Sequence, residues 1–247
     1  MKTILITGAT SGFGEAAARK FVAGDWRVIG TGRRGDRLKR LQDEFGDAFL
    51  PLEIDMRDSE AVESLEQLQS PWGDVDLLLN NAGLAPPTDP LPETDWGRID
   101  QVIETNITGL VALTRALLPK LIERKGQIIN LSSVAATYPY KGGAVYAGTK
   151  AFVRQFSLDL RADLHGRGVR VTSVEPGMAE TEFTIIRTGG DHEASEKLYA
   201  GMDPMTADDI AETFWWLANL PPHLNINTIE MMPVSQSFAG FVVHRKA

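Results

Sequence analysis

The feature that most constrains the fold of this sequence is a glycine-rich turn at residues 7–14, directly after a short β-forming run at residues 3–7. The turn reads Thr-Gly-Ala-Thr-Ser-Gly-Phe-Gly and leads straight into an amphipathic stretch. Glycines allow a tight turn and a close backbone approach to a phosphate group, and the free amides at a helix N-terminus attract negative charge. A strand, a glycine turn and a helix in this order predict the start of a dinucleotide-binding α/β fold. The residues expected to hold the pyrophosphate are Gly8, Thr10, Ser11, Gly12, Phe13 and Gly14.

The remaining chain alternates short β-rich runs with longer amphipathic stretches, a pattern typical of βαβ units around a parallel sheet. Strands are predicted at residues 3–7, 27–31, 49–54, 75–79, 127–132, 169–174 and 226–231. Helices are predicted near residues 12–24, 34–45, 58–69, 98–124, 144–166 and 206–219. We therefore predict a single-domain, Rossmann-type, doubly wound α/β sheet of about seven parallel strands with helices on both faces. Residues 1–247 are expected to form this one dinucleotide-binding catalytic domain.

Two segments interrupt the alternation. Residues 84–92 contain four prolines, which exclude an ordinary helix and predict a stiff loop. Residues 178–205 carry mixed charges, the pair Gly189-Gly190 and Pro204, and they follow the sixth predicted strand. Long segments at the carboxyl ends of strands often cover ligands in such folds, so we predict a substrate lid here. A disordered surface insertion is the alternative.

Composition argues against several classes of function. A net charge of −8 and a pI near 5.1 argue against broad binding of nucleic acids or anionic membranes. The chain has no cysteine and its four histidines lack ligand-like neighbours, so no disulfide, thiol chemistry or metal site is expected. No apolar run reaches the roughly 18 residues of a membrane span, and the first apolar run is too short for a secretory signal. We therefore expect a cytoplasmic location.

The end of the second predicted strand indicates which nicotinamide cofactor the chain prefers. Arg33 and Arg34 follow this strand. An acidic side chain at this place would bond a free ribose hydroxyl, whereas a 2′-phosphate requires positive charge, which arginine supplies through several planar donors. The two arginines therefore favour NADP(H) over NAD(H). Against this, Asp36 follows closely, and paired arginines also occur at solvated helix starts.

Polar residues after the third and fourth predicted strands extend the same site. Asp55 and Met56 end the third strand, and Asn81, Ala82 and Gly83 follow the fourth. The carboxyl ends of parallel strands meet at one edge of the sheet, where an adenine and its ribose would cross. We expect Asp55 to accept a hydrogen bond from the adenine amine, and Asn81 with its two neighbours to line the ribose.

Tyr146 and Lys150 form the candidate proton-transfer pair. Residues four apart in a helix share a face, so the lysine can reach the phenol or a ligand beside it. A phenol releases its proton near neutral pH only if its pKa falls well below about 10, and a neighbouring ammonium favours the phenolate. Ser133, which precedes the tyrosine, completes the candidate catalytic set. A tyrosine and a lysine at this spacing also arise by chance in helices, so the other motifs decide.

Together these motifs resemble the short-chain dehydrogenase/reductase family along essentially the whole chain. The matching strings are Thr-Gly-x-x-x-Gly-x-Gly at residues 7–14, Asn-Asn-Ala-Gly at residues 80–83, Asn106, Ser133, Tyr146-x-x-x-Lys150 and Pro176-Gly177. The resemblance implies hydride transfer between a nicotinamide and a carbon that bears a hydroxyl or carbonyl. It also implies that Tyr146 exchanges the proton of that oxygen while Ser133 donates a hydrogen bond to it.

The resemblance assigns roles to further residues. Lys150 would lower the pKa of Tyr146 and hold the nicotinamide ribose, and Asn106 would keep a water that links Lys150 to solvent. The residues expected beside the nicotinamide and the pyrophosphate, after the sixth strand, are Pro176, Gly177, Met178 and Thr181.

Within the family, the chain is similar to NADP-dependent 3-hydroxy acid dehydrogenases of the serine and allo-threonine type, in strings such as residues 31–34, 150–158 and 230–234. This similarity implies a small anionic substrate: serine, allo-threonine, 3-hydroxypropionate, or the matching semialdehyde or ketone. A buried carboxylate without a partner is costly, so the pocket requires a cation. We predict Arg187, in the lid segment, as this cation, with Lys141 as the second candidate.

Three other functions remain open on the sequence alone. An NADPH-dependent sulfoacetaldehyde reductase is the nearest, because a sulfonate would suit the same arginine. General carbonyl or 3-oxoacyl reduction is less favoured if the pocket is small and cationic. A non-catalytic NADP sensor is least favoured, because a sensor would not require the complete catalytic set.

The sequence also bears on assembly. The predicted helices 98–124 and 144–166 are apolar on more than one face, which sheet packing alone or an added subunit interface would explain. Because relatives pair these helices, the resemblance implies a homotetramer. The tail, residues 235–247 with Phe238 and Phe241, is a candidate cover for a neighbouring active site.

Overall fold

The computed structural model describes residues 1–239 and Val243, in which seven parallel strands form one sheet. The strands are β1 (Thr3–Thr7), β2 (Arg27–Gly32), β3 (Phe49–Glu53), β4 (Val75–Asn80), β5 (Gln127–Leu131), β6 (Arg170–Pro176) and β7 (Thr228–Met231). Their order across the sheet is β3-β2-β1-β4-β5-β6-β7. The predicted Rossmann-type sheet is thereby confirmed. The order reverses between β1 and β4, and ligands bind in the crevice at such a point.

Helices connect the successive strands of the sheet. They are α1 (Gly12–Ala23), α2 (Gly35–Phe45), α3 (Ser59–Ser64), α4 (Trp96–Ile103), α5 (Leu110–Arg124), α6 (Ala144–Asp163), α7 (Glu182–Arg187), α8 (His192–Tyr199) and α9 (Ala207–Ala218). Among the residues that the structure describes, no helix combines the length and the hydropathy of a membrane-spanning segment.

The side chains of β1 show why helices cover both faces of the sheet. Every residue of β1 is buried, and successive strand residues point to opposite faces. Ile4 and Ile6 join a core with α1, α2 and α9, whereas Leu5 joins a second core with α5 and α6. Burial of each such side chain contributes about 1.5–3 kcal/mol, so both faces must be covered. The apolar run at residues 4–6, flanked by β-branched Thr3 and Thr7, is therefore typical of a central strand.

A chain of buried side-chain hydrogen bonds holds β4 and β5 together near the ends that carry the site. Asn80 Nδ2 donates to Asn130 Oδ1 at 2.8 Å and to Thr114 Oγ1 at 3.0 Å, which links both strands to α5. Asn130 Nδ2 donates to Ser157 Oγ of α6 at 2.9 Å. These bonds fix the positions from which the residues after β4 and β5 enter the site.

The predicted helix at residues 98–124 is wrong in its start and in its continuity. Helix α4 begins earlier, because Asp95 caps it by accepting a hydrogen bond from the Arg98 amide at 3.0 Å. A π-helical turn, Glu104–Gly109, then separates α4 from α5. Gly109 leaves no room for a side chain here, since a Cβ would lie 2.2 Å from the Met56 carbonyl oxygen. Hydropathy cannot reveal a π turn, because its cause is long-range packing.

Smaller corrections concern other element ends. The predicted helix 58–69 is α3 followed by a 3₁₀ turn, Leu65–Gln67, and the predicted helix 144–166 ends at Asp163. Strand β6 begins one residue later than predicted and runs on to Pro176. The segment 178–205, the predicted lid, contains two short helices, α7 and α8.

Candidate active site

The candidate active site is a cavity of about 500 Å³ at the carboxyl ends of the strands. Predicted residues between Gly8 and Thr181 line it. These residues are Gly8, Thr10, Ser11, Gly12, Phe13, Arg33, Arg34, Asp55, Met56, Asn81, Ala82, Gly83, Ser133, Tyr146, Lys150, Pro176, Gly177 and Thr181. The fold therefore brings the glycine turn and the Ser133, Tyr146, Lys150 set into one cavity. The predicted residues outside the lining are Gly14, Asn106, Met178 and Arg187.

The glycine turn requires glycine for two different reasons. Gly8 and Gly12 have φ angles of 69° and 53°, in the left-handed region that side chains rarely adopt. At Gly14 the reason is space, because a Cβ would lie 2.2 Å from the Gly8 carbonyl oxygen and 2.6 Å from Asn81 Nδ2. Gly14 thus packs the start of α1 against the turn. It was predicted to help hold the pyrophosphate, but it does not line the cavity.

The loop after β4 is hydrogen-bonded to this turn. Asn81 Nδ2 donates to the Thr7 carbonyl oxygen at 2.8 Å. The backbone amides of Asn81 and Ala82 donate to Thr7 Oγ1 at 3.0 and 2.9 Å. Thr7 and Asn81 therefore join the two central strands of the cavity floor and place Ala82 at its surface.

Arg33 lies at the exposed end of β2 and lines the cavity. In the described part of the chain, none of the salt bridges includes its guanidinium. Opposite it, Asp55 pairs with Arg57 at 2.7 Å between Oδ2 and Nη2. The Arg57 hydrogen bonds hold the pKa of the Asp55 carboxyl below its usual range, with a smaller contribution from the charge of Arg33. Arg33 is thus a cation available to an anionic ligand, and Asp55 already has a partner, which the sequence did not predict.

Arg34 is bound quite differently from Arg33. Its Nη2 donates to Ser11 Oγ at 2.7 Å and to Thr10 Oγ1 at 2.9 Å. Its Nη1 contacts Glu182 Oε2 at 3.0 Å. The sequence predicts the same role for both arginines, but they differ in their availability to a ligand. The guanidinium of Arg34 already bonds the glycine turn and α7.

Ser133, Tyr146 and Lys150 meet between β5 and α6. Ser133 lies two residues after the end of β5 in an extended conformation, and its Oγ accepts a hydrogen bond from the Ala135 amide at 3.1 Å. Tyr146 lies in the first turn of α6 and is buried. One turn later, Lys150 Nζ lies 5.7 Å from the centre of the Tyr146 ring and donates to the Leu131 carbonyl oxygen at 2.7 Å.

Burial dominates the titration of both groups. It raises the pKa of Tyr146 to about 12, and the negative charge of a Tyr140 phenolate would act in the same direction. A hydrogen bond with Ser133 and the positive charge of Arg187 oppose this shift. Burial also lowers the pKa of Lys150 to about 8. The predicted lowering of the Tyr146 pKa is therefore not found in the protein alone: burial dominates, and the opposing contributions come from Ser133 and Arg187 rather than from Lys150.

Asn106 lies in the π-helical turn rather than in a regular helix. Its Nδ2 donates to the Leu84 carbonyl oxygen at 2.8 Å and to Thr149 Oγ1 at 2.9 Å, and its Oδ1 accepts from the Leu84 amide at 2.8 Å. A Cβ on Gly83 would lie 3.5 Å from Asn106 Oδ1 and 3.4 Å from Lys150 Nζ. Asn106 is thus close to Lys150 but behind Gly83, so the predicted water link stays a prediction.

Arg187 ends α7 and stands beside the tyrosine. Its Nη2 donates to the Tyr140 hydroxyl at 2.7 Å, and its guanidinium carbon lies 5.2 Å from the Tyr140 ring centre and 5.6 Å from that of Tyr146. Its Nε is buried and has no hydrogen-bond partner among the described residues. Lys141, the second candidate, is exposed and does not line the cavity.

The predicted contacts of Met178 with the cofactor stay a prediction, because its backbone groups have other partners in this structure. Its amide donates to Gln236 Oε1 at 2.7 Å, and its carbonyl oxygen accepts from the Met205 amide at 3.1 Å. Gln236 also fills the space beside Gly177, where a Cβ would lie 2.3 Å from the same oxygen. Both backbone groups of Met178 are thus already engaged, and the residue that engages its amide comes from the tail.

Sequence reasoning missed several residues that shape the site. Phe183 packs on Tyr146 at 5.8 Å between ring centres, and Glu182 binds Arg34. One signal was present, because Thr181 followed by an acidic residue is typical of a helix start, and Thr181 Oγ1 does accept from the Phe183 amide. Nothing in the sequence pattern indicates Gln236. The predicted cover by Phe238 and Phe241 is only partly described: Phe238 stacks on Tyr138, and Phe241 lies outside the described residues.

Metal ligands do not cluster in the part of the molecule that is described. Over residues 1–239 and Val243, no group of three or more His, Cys, Asp and Glu side chains could hold a metal ion.

Comparison with known proteins agrees with this geometry. The family model for short chain dehydrogenases matches residues 2–188. The chain is 59% identical over 249 residues to the serine 3-dehydrogenase of Agrobacterium fabrum, covering 99% of both chains. It is 51% identical over 245 residues to an NADP-dependent 3-hydroxy acid dehydrogenase of Salmonella typhi, covering 98% of this chain and 99% of that one.

Solved structures show the same similarity. The closed form of a serine dehydrogenase complexed with NADP⁺ has a TM-score of 0.94 and 49% identity, covering 99% of this chain and all of the other. A 3-ketoacyl-(acyl-carrier-protein) reductase from Brucella melitensis has a TM-score of 0.83 at 28% identity over 93% of this chain and 96% of that one. The chain therefore belongs to the short-chain dehydrogenase family of oxidoreductases.

Proposed function

We propose that this protein transfers hydride between NADP(H) and a small 3-hydroxy acid, of the serine, allo-threonine and 3-hydroxypropionate class, or the matching semialdehyde or ketone. The observation that carries the proposal is the guanidinium of Arg187 beside the Tyr146 ring, with a buried Nε that has no partner among the described residues. A carboxylate is the natural partner of such a group. The names of the relatives, serine 3-dehydrogenase and NADP-dependent 3-hydroxy acid dehydrogenase, support the same substrate class.

The residues of the cavity fit a dinucleotide with a 2′-phosphate. The left-handed glycines Gly8 and Gly12 leave the backbone of the turn open to a pyrophosphate, and Thr181 lies against Gly12. Arg33 adds an exposed cation at the end of β2, where a 2′-phosphate would lie. We therefore propose NADP(H) as the cofactor, with Arg33 as its main selectivity residue and Arg34 as a secondary contact. A bound nicotinamide supplies or accepts the hydride.

Tyr146 is proposed as the general acid and base. Because burial raises its pKa to about 12, the phenol is protonated at neutral pH and can donate a proton to a carbonyl oxygen that becomes an alcohol. In the oxidising direction the phenolate accepts the alcohol proton. Ser133, whose hydrogen bond with Tyr146 lowers the phenol pKa, is placed to donate to the same substrate oxygen.

Lys150 and Asn106 are proposed to support this proton transfer. Lys150 Nζ faces the cavity beside Tyr146, where it can hold ribose hydroxyls and favour the phenolate when it is charged. Asn106 holds the segment at Leu84 and Thr149 in place and lies near Lys150 across Gly83. A water beside Asn106 would let Lys150 exchange a proton with solvent.

The lid and the assembly are also proposals. Helix α7 places Phe183 and Ile186 at the cavity, which supports residues 178–205 as a substrate lid. Exposed Trp96 and Trp216, at 71% and 51%, support an association of subunits, for which we propose the homotetramer. A cytoplasmic location and one domain over residues 1–247 stay predictions from the sequence.

A substrate panel tests the function. With NADP⁺, we expect turnover of serine, allo-threonine or 3-hydroxypropionate, and kcat/KM for 3-hydroxypropionate about 10²-fold above that for its amide, which lacks the charge that Arg187 would bind. Initial rates of NADPH formation measure this, and NADPH-dependent reduction of sulfoacetaldehyde is run in parallel. The semialdehydes and ketones that correspond to the three acids are reduced under the same conditions. Equal turnover of the acid and its amide, or a preference for sulfoacetaldehyde over each of these semialdehydes and ketones, would contradict the proposal.

Arg33→Ala tests the cofactor assignment. We expect the ratio of kcat/KM for NADP⁺ to that for NAD⁺ to fall roughly 10- to 100-fold, because hydrogen bonds to a charged partner contribute about 1.5–3 kcal/mol. The control is Arg40→Ala on the outer surface of α2, which should leave the ratio unchanged because Arg40 pairs with Glu15 away from the cavity. A larger loss of NADP⁺ preference in Arg34→Ala than in Arg33→Ala would refute the assignment.

A further inference from the structure

We propose that Glu182 is a positioning residue that latches α7 to the arginines beside the glycine turn and thereby holds Arg187 next to Tyr146. The part that concerns Arg187 rests on the proposed function. The latch itself is a property of the contacts between α7 and α2, and it is tested separately.

The contacts of Glu182 join three separate parts of the chain. Its Oε1 and Oε2 each accept from Arg37 Nη1 at 2.8 Å, and its Oε2 accepts from Arg34 Nη1 at 3.0 Å. Arg34 in turn donates to Ser11 Oγ at 2.7 Å, and Arg37 Nη1 lies 3.2 Å from the Thr10 carbonyl oxygen. A single carboxylate therefore connects the first residue of α7 to the dinucleotide-binding turn through two guanidinium groups.

Helix α7 is short enough to transmit this attachment as a rigid unit. It spans Glu182–Arg187, so its two ends are about 7.5 Å apart at the usual rise per residue. Phe183, in the first turn, packs on the Tyr146 ring. At the other end, Arg187 bonds the Tyr140 hydroxyl and lies over the Tyr146 ring. Release of Glu182 would therefore let the end that carries Arg187 move away from the tyrosine.

Glu182, Arg34 and Arg37 form a cluster of ion pairs. Burial raises the pKa of the Glu182 carboxyl, but the hydrogen bonds from Arg37 and Arg34 outweigh burial and leave it lowered. Glu182 is thus ionised at neutral pH. The side chains are partly exposed, at 42% for Glu182 and 29% for Arg37, so salt screens the attraction. A contact of this strength can hold a lid closed while still allowing it to open.

The other described side-chain hydrogen bonds of α7 do not attach it to the glycine turn. Thr184 shares a hydrogen bond with the Tyr199 hydroxyl, which also donates to the Ala179 carbonyl oxygen at 2.8 Å. These bonds tie α7 to α8 and therefore lie inside the lid segment. Among the side-chain hydrogen bonds of α7 in the described part of the chain, those of Glu182 and Arg187 are the ones that reach residues outside the lid segment.

A double-mutant cycle on the full chain tests the latch. Glu182→Gln and Arg37→Gln should each raise KM for the 3-hydroxy acid about 3- to 10-fold, with kcat changed less than about twofold. The double variant should be no worse than the poorer single variant, because both changes remove the same contact. The wild-type KM should also rise more steeply with salt than that of Glu182→Gln, because salt screens the Glu182 contacts as well as the attraction between Arg187 and the substrate. Effects of the two single changes that multiply, or an unchanged KM in Glu182→Gln, would overturn the latch.

Trypsin cleavage supplies a readout that does not depend on turnover. Cleavage after Arg187 should be several-fold faster in Glu182→Gln than in wild type, with thermal unfolding midpoints that agree, because only the lid is released. Glu180→Gln is the matched control, since Glu180 is exposed on the same segment and joins none of the described salt bridges. Equal cleavage rates in wild type and Glu182→Gln would refute the latch. Faster cleavage in a protein that turns over no 3-hydroxy acid would support the latch and refute the proposed function.

Discussion

Tyr146→Phe is expected to lower kcat/KM for the 3-hydroxy acid by about 10³-fold, because it removes the proposed proton donor and acceptor of the reaction. The ring of phenylalanine still fills the buried site between Phe183 and Lys150, so the fold and the cavity should stay unchanged. Binding of NADPH, followed by its fluorescence, should remain within about twofold of wild type. The loss therefore belongs to the chemical step rather than to cofactor binding.

Tyr138→Phe is the matched control for this change. Its hydroxyl donates to Glu230 Oε1 at 3.0 Å, and the residue does not line the cavity. Removal of that hydroxyl should leave kcat/KM within about twofold of wild type, because no bond in the site is lost. Activity of Tyr146→Phe at more than about a tenth of the wild-type value would show that another group transfers the proton.

Arg187→Ala should raise KM for the 3-hydroxy acid by about 10²-fold, because removal of one partner of a desolvated charge pair costs roughly 2–5 kcal/mol. Steady-state kinetics at saturating NADP⁺ measure this change. The KM of Arg187→Lys should lie between those of the wild type and Arg187→Ala, since lysine retains the charge but not the planar pair of donors.

The same substitution should also shift the pH dependence of oxidation. The positive charge of Arg187 lowers the pKa of Tyr146, so its removal should raise that pKa further and move the alkaline rise of kcat to higher pH. Lys141→Ala should change neither KM nor the pH profile, because Lys141 is exposed and outside the cavity lining. A KM that responds to Lys141→Ala and not to Arg187→Ala would assign the carboxylate to the loop before α6 instead.

Much of the fold was predictable from local patterns. Residues 4–6 are apolar between two β-branched threonines, and the structure makes residues 3–7 a strand buried on both faces. The glycine turn was predictable because Gly8 and Gly12 adopt left-handed angles that other residues avoid. Amphipathic stretches became helices within a residue or two of their predicted ends, as α1 and α9 show. In each case the cause lies in neighbouring residues.

Where the cause is long-range, prediction was wrong or incomplete. The helix predicted at 98–124 is divided by a π turn, in which Asn106 bonds Leu84 and Gly109 packs on Met56. Gly14 was assigned to the cavity with its neighbours, although its space is filled by the Gly8 carbonyl and Asn81. Leu84, Met56 and Asn81 are all distant in the sequence from the helices that they contact, and only Gly8 lies near the start of α1.

The sequence by itself determined the type of sheet, the place of the dinucleotide-binding turn and the residues that form the candidate catalytic set. Those features follow from side-chain size, backbone freedom and hydropathy, which each residue carries independently of its distant neighbours. Tertiary structure alone decided which charge is free and which is engaged. Arg33 and Arg34 are adjacent and alike in the chain, yet Glu182, 148 positions from Arg34, binds only one of them. Whether a charged group can receive a ligand depends on the electrostatic partner that folding places beside it.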